Sequence, residues 1–212
     1  MEKSKPEEIL ELEKVYGITL KEQTDDKIMI IKRNNFKLDE EGNVIEISLA
    51  GNKIEKIKGF DNFKHLKLLN LGVNKITKIE NLDNLKHLIY LFLDINEIKK
   101  IENLNNLNNL EILSLSDNQI DDIEEVKKLI NPNYFQKLNS LLIDNNPFEK
   151  KLNNIKLKNG DNLETLRNYF KLENAKNKIE IKTIPKIMLV GNHNSGKSTF
   201  LNYFLNNRFN NK

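Results

Sequence analysis

The chain has 212 residues, 38% of them hydrophobic, enough for a sizeable buried core and for one main domain with something smaller beside it. Its 34 Lys and Arg against 31 Asp and Glu leave a net charge of +3, spread in mixed-sign runs that read as solvated surface and exclude a nucleic-acid footprint; the lack of cysteine excludes disulfides and thiolate metal sites. No apolar run approaches membrane-spanning length and Met1 to Glu8 lack the apolar core of a signal peptide, so the expected compartment is the cytoplasm.

Residues 1–43 read as an N-terminal cap. Glu7 to Val15 carry apolar positions near helical spacing behind Pro6, a helix start, and Gly17 is its stop. Lys27 to Lys32, with four consecutive apolar residues, read as a strand, and Asp39 to Asn43 as a turn into the strand that begins at Val44.

From 44 to 148 one pattern recurs five times. Asn52, Asn74, Asn96, Asn118 and Asn146 are spaced by 22, 22, 22 and 28 residues. Each is preceded by three apolar residues at fixed offsets (Val44, Ile47, Leu49; Leu66, Leu69, Leu71; Leu88, Leu91, Leu93; Leu110, Leu113, Leu115; Leu138, Leu141, Ile143). Each is followed two residues later by another, from Ile54 to Phe148. The alternation suits a short strand with one buried face, and stacking gives each repeat the core it cannot bury alone. An asparagine side chain both donates and accepts, so a column of them can bond the backbone of buried turns. The return path, with Ile57, Ile79, Ile101 and Ile123, suits 3₁₀ or short helical segments. This pattern resembles the leucine-rich-repeat family in its 22-residue form.

The longer last step falls around Leu129 to Phe135, where Glu124 to Leu129 reads as a true helix closed by Pro132. Residues 149–185 are expected to hold a capping helix over 162–172, opened by the turn Asn159-Gly160-Asp161, and then a polar linker over 173–184.

Lys186 to Val190 suit a buried parallel strand running into Gly191-Asn192-His193-Asn194-Ser195-Gly196-Lys197-Ser198, a G-x-x-x-x-G-K-S phosphate loop, with Thr199 to Leu205 as the helix it opens. The two glycines let backbone amides converge on phosphate, Lys197 would reach the β- and γ-phosphates, and Ser198 would offer its hydroxyl to Mg²⁺. The loop resembles the G-x-x-N-x-G-K-S-T-L-x-N form of Era-like GTPases. Repeats, capping helix and GTPase loop in this order resemble the Roco family, in which a Roc GTPase domain follows the repeats. The resemblance implies GTP and Mg²⁺ as cofactors, held by Gly191 to Thr199 with Ser198 on the metal. The switch threonine, D-x-x-G and N-K-x-D motifs should lie downstream of residues 186–212, so the chain is expected to be a piece of a longer protein. Alone, it should bind GTP weakly and hydrolyse none.

Side chains alternating with the buried leucines face away from the core, and Leu68, Tyr90, Phe92 and Ile112 with Leu142 are expected to form an exposed apolar partner-binding patch. His65 and His87, 22 residues apart, read as structural residues at the solvent edge. The expected fold is therefore α/β: a leucine-rich-repeat horseshoe with caps at both ends, then the first strand, loop and helix of a P-loop NTPase domain. The expected function is a protein-interaction module of a Roco-like GTP-binding protein, with a homodimer possible in the full-length protein. A repeat-only adaptor with a vestigial loop is the other reading.

Overall fold

The alternating residues of the repeats form short strands whose backbones pair in register. The computed structural model describes residues 4–24, 33–131, 134–152, 155–157 and 160–181. The strand expected at 27–32 and the strand, loop and helix expected over 186–212 lie outside the described residues. The chain divides into two units, Met1–Lys171 and Leu172–Lys212.

In the first unit, helix α1 (Glu7–Tyr16) leads to strands β1 (Lys21–Glu22), β2 (Asn35–Leu38), β3 (Val44–Ser48), β4 (Leu68–Asn70), β5 (Tyr90–Phe92), β6 (Ile112–Ser114) and β7 (Ser140–Leu142). They build one seven-stranded sheet in sequence order. From β3 to β7 every pairing is parallel; β2 and β3 form an antiparallel hairpin, and β1 pairs parallel with β2. Strand β2, with Phe36 buried opposite Ile47, is not among the expected elements. Its signal is the alternation of Phe36 and Leu38 ahead of the Asp39 turn, where the Asp39 carboxylate accepts from the amides of Glu41 and Asn43.

Each full repeat inserts the same set into the core. In the second these are Leu66, Leu69, Leu71, Ile76, Ile79, Leu82 and Leu85, all fully buried. So many interior positions within 22 residues leave no length for a helix on the return side. Where 3₁₀ or short helical segments were expected, each repeat has two consecutive turns, such as Leu85 N–H to Leu82 carbonyl and Leu88 N–H to Leu85 carbonyl. Only the 28-residue step makes room for α2 (Ile123–Ile130), whose first amides are capped by the Asp122 carboxylate.

The sheet is closed at both ends. At the start, α1 buries Ile9 and Leu12 and is stopped by Gly17 at φ 64°, a left-handed conformation. Helix α1 is fixed to the first repeat by the Tyr16 hydroxyl, which accepts from the Lys58 amide and donates to the Lys58 carbonyl, both at 2.9 Å. The Glu13 carboxylate ties the following turn, accepting from Lys5 Nζ at 2.7 Å and the Leu20 amide at 2.6 Å. Burial raises the Tyr16 hydroxyl to about 12, with the Lys58 backbone bond opposing. The neutral form therefore contributes stability that is complete below the unfolded value of about 10 and is lost as pH rises through about 12. Tyr16→Phe should cost about 1 kcal/mol in thermal or urea unfolding near neutrality, by orphaning the Lys58 amide. The gap between wild type and variant should narrow in the alkaline range.

At the other end, a 3₁₀ helix (Pro147–Lys151) and helix α3 (Leu163–Ile181) follow the last repeat. The Asp161 carboxylate accepts from the Leu141 amide at 2.9 Å and the Asn162 amide donates to the Leu141 carbonyl at 2.7 Å, so β7 does not offer a bare edge there. Leu163, Leu166, Tyr169 and Phe170 of α3 are buried. The helix does not end at 172 with a linker beyond, as its polarity suggested, but continues to Ile181. Lys171-Leu172-Glu173-Asn174-Ala175-Lys176 contains no Gly or Pro and is rich in strong helix formers, so polarity there does not break the helix. Residues from Leu172 onward belong to the second unit.

Candidate protein-interaction face

The asparagine column fixes where each strand ends and hence what its outer face presents. Asn74 Nδ2 donates to the Leu49, Leu71 and Gly72 carbonyls, and its Oδ1 accepts from the Ile54 amide at 3.0 Å. Asn96, Asn118 and Asn146 repeat this set one step on, each also accepting from the repeat before it, through Ile76, Ile98 and Ile120. Every link thus joins two repeats. At the first repeat Asn52 bonds Asn34 Oδ1 at 2.6 Å, which ends the column.

With register held this way, Ile47, Leu69, Leu91, Leu113 and Leu141 point into the core while their neighbours form rows on the other face. One row is Glu46, Leu68, Tyr90, Ile112 and Ser140; the next is Ser48, Asn70, Phe92, Ser114 and Leu142. Leu68, Tyr90, Phe92 and Ile112 pack together as a small cluster separate from the main core. The cluster is less exposed than its sequence suggested. Leu68 and Phe92 are only 3% and 9% exposed, whereas Tyr90 and Ile112 are half-buried. Strands about 4.8 Å apart bring side chains of adjacent rows close enough to cover one another, so Tyr90 and Ile112 form the accessible surface. Leu142 is half-buried and is not part of the cluster, being separated from Phe92 by Ser114 in the row.

Beyond the strand ends the repeat places Ala50, Gly72, Asp94, Ser116 and Asp144 in succession. The Asp94 carboxylate leans over Gly72, where an added Cβ would lie 3.0 Å from Oδ2. Ser116 Oγ donates to Asp144 at 2.7 Å. Burial drives the Asp94 carboxyl above its usual range, against hydrogen bonds from its own amide and the Ser114 side chain, and the charge of Asp117 adds to the shift. Among the described residues no group of three or more His, Cys, Asp or Glu is placed to hold a metal ion. His65 and His87 are exposed and stack 6.5 Å apart at the same position of successive repeats. The nine phosphate-loop residues, Gly191 to Thr199, lie outside the described residues.

Two residues beside this face are not marked by the apolar periodicity. The position before each column asparagine has positive φ: Gly51 at 75°, Val73 at 57°, Ile95 at 54°, Asp117 at 55° and Asn145 at 59°. Gly, Asp and Asn tolerate that conformation; Val and Ile do not, and both are exposed, at 42% and 49%. The signal is present in the sequence, since Gly, Asp and Asn at one slot of a repeat mark a left-handed turn. Ile95→Asn is expected to raise the unfolding free energy by about 1 kcal/mol, the strain of a β-branched residue relieved at an exposed site. A lowered melting temperature would contradict this.

A leucine-rich-repeat fold is what this stacked sheet and its asparagine column define. Residues 43–84 and 86–128 match the family model described as Leucine Rich repeats (2 copies), so these segments are leucine-rich repeats in sequence as well as in architecture. The fifth repeat lies beyond the matched residues. Among solved structures, an internalin from Listeria monocytogenes is 27% identical over 54% of this chain and 34% of its own, with a TM-score of 0.43. A leucine-rich-repeat protein of Leptospira interrogans is 24% identical over 50% of this chain and 29% of its own, TM-score 0.42. An internalin C2 from Listeria monocytogenes is 28% identical over 49% of this chain and 53% of its own, TM-score 0.37. The chain thus spans about a third to a half of the length of these proteins. No curated protein matches it.

Proposed function

We propose that the repeats are a recognition module for another protein, which docks on the strand face over the cluster of Leu68, Tyr90, Phe92 and Ile112, and that the module serves a Roco-like GTP-binding protein. The observation that carries the first half is the cluster itself, an apolar group cut off from the core and surfacing through Tyr90 and Ile112 among polar rows. Such islands concentrate binding energy in few side chains. The second half is supported by the sequence Lys186 to Leu205, whose expected strand, glycine loop and helix would suit phosphate binding, with Lys197 on the β- and γ-phosphates and Ser198 on Mg²⁺.

Two measurements separate the halves. Tyr90→Ala with Ile112→Ala should keep the wild-type melting temperature to within a few degrees yet lose the captured partner in pull-down; undiminished capture removes the face as the site. Titration with a fluorescent GTP analogue and Mg²⁺ should show weak binding that Lys197→Ala abolishes. Identical titrations for the two would favour an adaptor without nucleotide chemistry.

A further inference from the structure

The rows of the strand face differ from the rest of the chain in charge. None of the strand-face positions from Glu46 to Asp144 is Lys or Arg, although Lys and Arg outnumber Asp and Glu in the chain, 34 to 31. The lysines are instead on the return path, where Lys56, Lys58, Lys78, Lys99 and Lys100 are exposed. Beside the apolar cluster stand Asp94 on the strand side and the exposed Asp117 at the adjoining turn, while Asp144 is 5% exposed and its carboxylate accepts from Ser116 Oγ and Asn145 Nδ2. Asp94 is half-buried, and no Lys or Arg among the described residues forms an ion pair with Asp94, Asp117 or Asp144. The carboxyl of Asp94 is raised by burial and again by Asp117, as expected where negative charges collect without a cation. Past these acids, Val73 and Ile95 hold apolar side chains outward in a conformation that β-branched residues avoid. Strain kept at an exposed position points to use.

We infer that the strand face takes a cationic, apolar segment of a partner protein, its aliphatic or aromatic side chains on Tyr90, Ile112 and the Val73–Ile95 edge and its Lys or Arg side chains against Asp94 and Asp117. This rests on the reading of the strand face as the partner site and adds the partner's chemistry. A lysine or arginine entering beside Asp94 would meet a carboxylate already partly stripped of water, where an ion pair is screened least. An acidic segment would be repelled, so charge selects the partner while the apolar contacts hold it.

The test uses the full chain and three short fluorescent peptides with the same alternating Leu and Phe, their remaining positions all Lys, all Glu or all Ser. The Lys peptide is expected to bind about tenfold tighter than the Ser peptide, the strength of two ion pairs of about 0.7 kcal/mol each, and the Glu peptide more weakly than either. The advantage should shrink as salt rises. Asp94→Asn with Asp117→Asn, near-isosteric changes that remove the charges and keep one acceptor oxygen at each site, should cut the preference to about threefold or less while leaving the Ser peptide unaffected. Tyr90→Ala with Ile112→Ala should weaken all three. A wild type with no Lys preference, or a preference that survives in the Asn variant, overturns the partner's charge while leaving the face intact, provided the Ala variant still loses binding. Binding untouched by the Ala variant overturns the face as well. Failure of every peptide to bind, or a chain that dimerises through Tyr90 in sedimentation, also overturns the inference.

Discussion

Asn96→Ala is expected to remove about 2–4 kcal/mol of stability, a large share of what holds a marginally stable domain folded. Asn96 is 7% exposed, and its amide donates to the carbonyls of Leu71, Leu93 and Asp94 while its oxygen accepts from the Ile76 amide at 2.9 Å. Alanine orphans the buried Ile76 amide, which costs about 1–3 kcal/mol, and removes the bonds to the three carbonyls, which keep their other donors in Asn74 Nδ2, Asn118 Nδ2 and the Val73 amide and so add less each. The urea midpoint should fall with little change in slope. Aspartate is no remedy, because it keeps the acceptor for Ile76 but loses every donor and sets a charge among carbonyl oxygens. Asn52→Ala provides the comparison. Asn52 is half-buried at the end of the column, so its loss should cost less than half as much. Equal losses at the two positions would mean that the column does not bind repeat to repeat.

Phe148→Ala should cost about 3–5 kcal/mol by a different route, that of an emptied cavity. Phe148 is fully buried and stands two residues after Asn146, where Ile54, Ile76, Ile98 and Ile120 stand in the other repeats. It lies in the 3₁₀ helix that follows the last repeat, and its amide donates to the Ile120 carbonyl, the bond that Lys75, Glu97 and Gln119 make one position earlier in their repeats and that Pro147, lacking an N–H, cannot make. Phe148→Ile restores the residue used elsewhere and should recover only part of the loss, because isoleucine fills less of the volume that the ring occupies. Full recovery would show that the larger side chain has no role in seating the cap. Thermal unfolding followed by circular dichroism reads all three proteins.

Much of this architecture could be read before any coordinates. The repeat was legible because every interior position is specified again 22 residues later, so Leu69 announces Leu91 and Asn74 announces Asn96. The helix in the long step was legible for a related reason: extra residues between fixed points must go somewhere, and Glu124 to Leu129 have helical spacing. What does not repeat was harder. Strand β2 is a single short segment whose partner lies across a turn, and α3 outran its apolar stripe because residues of high helix propensity carry it on without one. The rows of the strand face followed from the alternation, but their exposure did not. How far Leu68 and Phe92 hide behind Tyr90 and Ile112 depends on strand spacing and side-chain volume across three repeats, quantities absent from any one of them. The strain at Val73 and Ile95 was visible only by comparing the same slot between repeats, which a search for apolar periodicity passes over.

The backward direction of the asparagine links carries a consequence for the history of such a chain. Each side-chain amide from Asn74 to Asn118 holds its own turn and the unit before it, and makes no bond to the unit after. A duplication or deletion of one 22-residue module in this stretch would therefore remake every junction it disturbs, without a compensating change at either terminus. Growth by whole modules is tolerated between Asn52 and Asn118, whereas the 28-residue step to Asn146 is fitted to a single neighbour and cannot be copied freely. The breadth of the strand face is thus an inheritable quantity that can lengthen or shorten in fixed increments while both ends stay as they are.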